Sequence, residues 1–215
     1  MRILTILCTA ICENAYIAYM EGRSDCLVID PGASEPVLRA LETNGLSPAA
    51  IFLTHGHFDH IGGAREIRDR YGAPILIHKL DADKLSDNKK NLSVLSVPLR
   101  LLDPFLPDIL ISGGDLLEYA GFPIEVISTP GHTAGGSCFL IRDENVLFSG
   151  DTLFCGSFGR YDFPDGSFHD LKTSLLSRLF TLDGEYEVYP GHGDVTTLQH
   201  ERESNPILYY GESGQ

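Results

Sequence analysis

The chain has 215 residues, 43% of them hydrophobic, enough to bury one substantial core without disulfide staples. Thirty acidic against sixteen basic residues give a formal charge of −14, a field that repels a phosphate backbone and argues against a nucleic-acid partner. No run approaches the roughly 20 apolar residues of a membrane span, and the five scattered cysteines (Cys8, Cys12, Cys26, Cys138, Cys155) form no CxxC pair, which fits a reducing cytoplasm.

The N-terminal stretch MRILTILCTAICENAYIAYM superficially resembles a secretory leader. Thr5, Cys8 and Thr9 interrupt it, Glu13 and Asn14 carry it into a second apolar stretch, and no small-residue cleavage site follows, so it reads as paired strands. Short runs rich in Ile, Val, Leu and Phe then recur, each stopped by Gly, Pro, Asp or Thr: DCLVIDPG, AAIFLTHG, APILIHK, FPIEVISTPG, GSCFLI, NVLFSGD and YEVYPGHG. These are the pattern of buried strands. Helical patterns lie between them at 34–44, closed by Gly45, at 64–71, closed by Gly72, at 167–179 and at 196–204. Residues 80–110 are less regular, with Lys89, Lys90 and Asn91 together and prolines at 98, 104 and 107; they read as a surface insertion that either lies over a pocket or merely connects.

Strands alternating with helices predict one α/β domain over residues 1–215, with layers of both element types. Hairpin-like runs at the start and at 138–148 favour mixed sheets over purely parallel ones. A faint internal echo also appears. VIDPG followed by FLTHGH resembles LFSGD followed by VYPGHG, each pairing a strand ending in Asp with one ending in a His-containing turn.

The chemistry concentrates after strand ends. His55, His57, Asp59 and His60 follow the strand ending at Leu53, His132 follows IEVISTPG, Asp151 follows NVLFSG, and His192 follows EVYPG. Carboxyl ends of neighbouring strands converge on one rim, where α/β proteins place their sites. Within HGHFDH, His55 and His57 can face one ion while Asp59 and His60, further along the turn, face another; Gly56 leaves room between the first two. Imidazoles and carboxylates without thiolate suit zinc, iron or manganese. Each ion takes about four protein or solvent ligands, so the seven donors are too many for one and suit two that share a bridge. His78, His169 and His200 have no partners at ligand spacing and read as structural.

These motifs, HxHxDH at 55–60, PGHT at His132, SGDT at Asp151 and PGHG at His192, resemble the series of the metallo-β-lactamase superfamily across nearly the whole chain. THGHFDHIGG, TPGHTAGGSCF, GDTLFCGSFGR and VYPGHG with ERESNP look most like glyoxalase II (hydroxyacylglutathione hydrolase) and its short bacterial relatives. The resemblance implies a four-layer αββα sandwich with two mixed sheets and two divalent ions, zinc before iron or manganese. It implies His55, His57 and His132 on the first ion, Asp59, His60 and His192 on the second, and Asp151 bridging, with Asp30 of VIDPG as a hydrogen-bonding support. It further implies hydrolysis of a small-molecule thioester such as S-lactoylglutathione, Asp59 orienting or deprotonating the nucleophile, and Arg160 and Tyr161 touching substrate. Lactone or ester hydrolysis is an alternative within the fold. Another is the persulfide dioxygenase family, whose GR-D pattern matches Gly159, Arg160 and Asp162; it implies a single iron on His55, His132 and Asp151. None of these signals reveals an oligomeric state.

Overall fold

The computed structural model of the chain describes residues 1–8, 12–96 and 101–210; Thr9 and Pro98 lie outside the described residues. The first half forms a six-stranded sheet in chain order: β1 (Arg2–Cys8), β2 (Glu13–Tyr19), β3 (Asp25–Ile29), β4 (Ser47–Leu53), β5 (Ile75–His78) and β6 (Ile109–Ile111). The β1/β2 and β2/β3 pairs are antiparallel, and the pairs from β3 onward are parallel. Crossovers α1 (Ser34–Asn44) and α3 (Ala64–Tyr71) join the parallel strands on one face, with a single helical turn, α2 (Phe58–Ile61), before the second. Gly45 and Gly72 end these two helices in the left-handed conformation, as their positions in the sequence predict.

The second half builds β7 (Leu116–Tyr119), β8 (Phe122–Ser128), β9 (Ser137–Ile141) and β10 (Val146–Gly150), then a two-stranded ribbon of β11 (Leu153–Phe154) and β12 (Ser157–Phe158). After α4 (Phe168–Thr173), which continues as a π-helix over Ser174–Leu179, come β13 (Glu187–Pro190), β14 (Thr196–Thr197) and α5 (Leu198–Ser204). The sheet order is β14-β13-β10-β9-β8-β7, with β10 and β13 parallel and the other neighbours antiparallel. Both sheets are therefore mixed. The α4 start lies one residue after Ser167, whose hydroxyl caps it by accepting from the Asp170 amide; likewise Thr197 caps α5.

Three apolar layers separate four structural layers. Tyr16, Leu27, Ile29 and Phe52 from one sheet meet Phe122, Val126, Phe139 and Phe148 from the other. The alternate residues of the first sheet, Ile17, Val28, Ile51 and Leu53, pack on Val37, Leu41 and Ile67 of α1 and α3. The alternate residues of the second, Cys138, Leu140, Leu147 and Val188, pack on Leu171, Leu175, Leu179 and Leu198. Both faces of each central strand are thus buried, and this is why the runs are continuously apolar rather than alternating. The result is the αββα sandwich the resemblance implied.

Residues between β5 and β6 both connect and cover. Leu85 and Phe105 join the layer under α1 and α3, while Asp81 and Lys84 are buried against the loops described next. No helix among the described residues is long and apolar enough to cross a membrane.

Candidate metal centre

Each sheet ends at one rim with the same device. β3 runs into Asp30 beside β4, which runs into His55; β10 runs into Asp151 beside β13, which runs into His192. The internal echo in the sequence is thus a pair of parallel strands in each sheet, delivering one carboxylate and one imidazole apiece. Asn14 and Tyr16 at the start of β2 lock the halves together there. The Asn14 amide donates to the carbonyls of Pro190 (3.1 Å) and Gly193 (2.9 Å), and the Tyr16 hydroxyl donates to Pro190 (2.6 Å). Gly191 leaves space that no other residue can, since an added Cβ would lie 2.3 Å from Asp151 Oδ1 and 2.6 Å from His60 Cε1.

All seven residues singled out by spacing come together. His55, His57 and His132 present ligand atoms within 4.8 Å of one another, as do Asp59, His60 and His192. Asp151 stands between the groups: Oδ1 is 3.4 Å from His60 Nε2, and Oδ2 is 3.5 Å from His132 Nε2 and 3.8 Å from His192 Nε2. His192 Nε2 also lies 3.3 Å from Asp59 Oδ2. His57 Nδ1 is 2.9 Å from His132 Nε2. With 27% of its side chain exposed against 11% or less for Asp59, His60, His132 and Asp151, His192 marks the open side.

Supporting contacts set the imidazoles. His132 donates from Nδ1 to the Arg160 carbonyl at 2.7 Å, turning Nε2 toward the cluster. His60 Nδ1 sits 3.0 Å from Asp30 Oδ2, with the same consequence. Asp30 also accepts from the Thr54 amide (2.7 Å) and hydroxyl (2.5 Å), and it holds a left-handed backbone conformation (φ 46°) rare for a residue other than glycine. A further grouping, Asp30 with His55 and His60, meets the same 4.8 Å spacing. Its Asp30 oxygens already serve Thr54 and the far nitrogen of His60, so Asp30 supports the cluster and does not face it.

The charge distribution calls for a cation. His55, His57 and His60 Nε2 and Asp151 Oδ1 are buried without a hydrogen-bond partner, a costly state for polar atoms. Burial, then the neighbouring His132, pushes the His57 imidazole down to about 3, and burial with the adjacent His60 takes His55 well below its ordinary value, so both are neutral donors. Burial also opposes charge on His60 and His192, yet Asp151 and Asp59 outweigh it and raise both. For Asp59 and Asp151 burial is again outweighed, by His60 first, and both carboxylates fall below their usual range. Protons on two imidazoles thus supply the positive charge that a divalent ion would supply, and a set of imidazole and carboxylate donors without thiolate fits zinc, iron or manganese.

Arg160 and Tyr161 occupy the exposed loop beside His132. The Arg160 guanidinium donates to Asp162 from Nε (3.0 Å) and Nη2 (2.9 Å) and lies 4.5 Å over the Phe163 ring, while the Tyr161 ring packs on Phe168 at 4.9 Å. The contribution of Arg160 to the cluster is its carbonyl. His78, His169 and His200 stay apart: His78 Nδ1 accepts from the Leu80 amide, and the other two are exposed on α4 and α5.

Two buried acids escaped sequence reasoning. Asp81 accepts from the Gly56 amide (2.9 Å), the Gly135 amide (2.8 Å) and the Thr133 hydroxyl (2.8 Å), tying the His55–His57 loop to the His132 loop. Burial raises its carboxyl despite these donors and the nearby Lys84. It lies three residues beyond the end of β5, close enough to the rim that attention to every strand end would have included it. Glu13 is fully buried with Oε1 4.0 Å from His60 Nδ1, its carboxylate oxygens have no hydrogen-bond partner among the described residues, and burial drives its carboxyl well above the ordinary range. Its signal was a charge at the boundary of two apolar runs.

A four-layer αββα sandwich carrying this rim of histidines and aspartates defines a class of metallo-hydrolases. The sequence profile of the metallo-β-lactamase superfamily matches residues 12–192, and the chain belongs to that superfamily. Among curated relatives it is similar to the hydroxyacylglutathione hydrolase GloC of Haemophilus influenzae, 33% identical over 97% of this chain and 98% of that protein. Among solved structures it resembles the BLEG-1 B3 metallo-β-lactamase (TM-score 0.91, 33% identity, 96% of this chain and 99% of that one). It also resembles TTHA1623 in a di-iron-bound form (TM-score 0.84, 35% identity, 95% and 100%).

Proposed function

We propose that the chain is a dinuclear metal-dependent hydrolase of small S-acyl thiols of the hydroxyacylglutathione type. His55, His57 and His132 would hold one divalent ion and Asp59, His60 and His192 a second, with Asp151 available to both. The observation that carries this reading is the gathering of two adjacent groups, His55, His57 and His132 in one and Asp59, His60 and His192 in the other, with Asp151 close to both. Likeness to GloC over nearly the full length of both chains supports the substrate class.

Two such ions, zinc or alternatively iron or manganese, supply hydroxide near neutral pH and a Lewis acid for the carbonyl oxygen. The protein's own groups do the rest. Asp30 and the Arg160 carbonyl hold His60 and His132 in the tautomers that point Nε2 inward. The Asp59 carboxylate, kept ionised by His60 and His192 against burial, orients the attacking water and accepts its proton. A thiol with pKa near about 8.5 departs as thiolate without an acid, matching a cluster whose inward-facing groups are ligands rather than proton donors. Arg160 and Tyr161 border the opening and contact the body of the substrate.

Thiol release from S-lactoylglutathione by protein loaded with two metal equivalents, followed with a thiol reagent, tests this reading against a His57→Ala variant. Metal-dependent release that the substitution abolishes is expected; no metal-dependent release overturns it. A single iron accompanied by oxygen uptake would replace it with the dioxygenase alternative, which leaves Asp59, His60 and His192 without a role.

A further inference from the structure

A cavity of about 390 Å³ adjoins the His57 and His132 side of the metal centre. Leu92, Ala134 and Pro164 give it apolar walls, and Lys84, Lys89 and Lys90 line its polar edge. Three contacts join it to the centre. Pro164 follows Phe163, whose ring lies 5.1 Å from His57 and 5.6 Å from His132. Ala134 is two residues beyond His132, and the Lys84 stem lies so close to Gly56 that a Cβ there would be 2.6 Å from Lys84 Cβ.

Its charge runs against that of the whole chain. The formal total is −14, yet here three ammonium groups face two carboxylates. Lys84 Nζ is committed to Asp165 at 2.5 Å, and Lys90 is paired with Asp83. The Lys89 ammonium makes no ion pair among the described residues. Arg160 is not among the cavity's lining residues, and its Nε and Nη2 are paired with Asp162.

We propose that this cavity is a carboxylate-binding subsite that receives the anionic end of the substrate's thiol portion, with Lys89 as its cation. The inference rests on the thioester-hydrolase reading and adds where that substrate's charge is recognised. Apolar walls remove water from one side of the pair and strengthen it, and the volume suits a fragment the size of an acylated amino acid.

Two thioesters that differ by one carboxylate test it: S-lactoyl-N-acetylcysteine and S-lactoyl-N-acetylcysteamine. The metal-loaded protein is expected to prefer the first in kcat/KM, through KM, with the preference shrinking as salt rises. Lys89→Ala reduces that preference about 3-fold and Lys89→Glu about 10-fold, as exposed ion pairs of this kind allow. A wild-type ratio near one, or a ratio unmoved by both substitutions, overturns the subsite. So does a ratio that collapses in Arg160→Ala alone. Should neither compound release thiol, turnover of S-lactoylglutathione decides the hydrolase reading, and the subsite is judged separately by calorimetry with S-methylglutathione. Binding that weakens several-fold in Lys89→Glu supports it; no binding, or unchanged binding, overturns it.

Discussion

Replacing Asp81 by alanine removes an acceptor shared by both histidine loops. Three donors lose their partner at once: the Gly56 amide, the Gly135 amide and the Thr133 hydroxyl, all at 2.8 to 2.9 Å around a side chain with no exposed surface. Hydrogen bonds to an ionised acceptor contribute about 1.5–3 kcal/mol each, and a buried donor left unpaired costs about 1–3 kcal/mol. The hydroxyl can rotate and water can enter the space vacated, so the lower ends apply and the expected loss is about 4 kcal/mol. Asp81→Asn separates charge from shape. Its single carbonyl oxygen can still serve Gly56 and Thr133, but its amide then opposes the Gly135 N–H, for an expected cost of about 2 kcal/mol. Because the loops carry His55, His57 and His132, metal affinity should fall about 10- to 100-fold in both variants. Urea unfolding of metal-free protein gives the first quantity and competition with a chromogenic chelator the second. An alanine variant within about 0.5 kcal/mol of wild type that binds metal equally well would refute the role assigned to Asp81.

Three further outcomes follow from the same geometry. His60 and His192 have raised affinity for protons whereas His55 and His57 are neutral, so metal binding near neutral pH should release about one to two protons and weaken as pH falls; calorimetry in buffers of different ionisation enthalpy that detects no release would refute it. Burial pushes the thiols of Cys8 and Cys26 up to about 12 and that of Cys138 to about 11, while Cys12 and Cys155 are exposed. A thiol reagent should therefore titrate two cysteines quickly in the native protein and all five after denaturation. Gly191→Ala places a methyl group against Asp151 and His60, and elemental analysis should show the metal content falling from about two towards one per chain while the fold persists; retention of both ions would show that the space is not limiting.

Much of the molecule was legible in one dimension because local rules govern it. The apolar runs placed the central strands, Gly45 and Gly72 ended two helices, and the Asp and His residues just beyond strand ends marked the rim, since a strand's direction carries whatever follows it to one edge of the sheet. The motif series supplied the αββα expectation, and burial of both sheet faces explains why the strands lacked alternation. Ligand types, too, were visible in the sequence, because donor chemistry belongs to residue type.

What the linear order could not contain is which distant residues meet. Asp81 matters because it touches Gly56, Thr133 and Gly135 at once, and no spacing along the chain encodes a three-way contact across two sheets. Arg160 acts on His132 through its carbonyl, a group every residue possesses, so nothing in its side chain advertised the role. The burial of Glu13 beside His60 and the meeting of Lys89 with Ala134 and Pro164 around one cavity likewise arise only once the layers close, because burial and local field are properties of neighbours in space and not of the residues themselves.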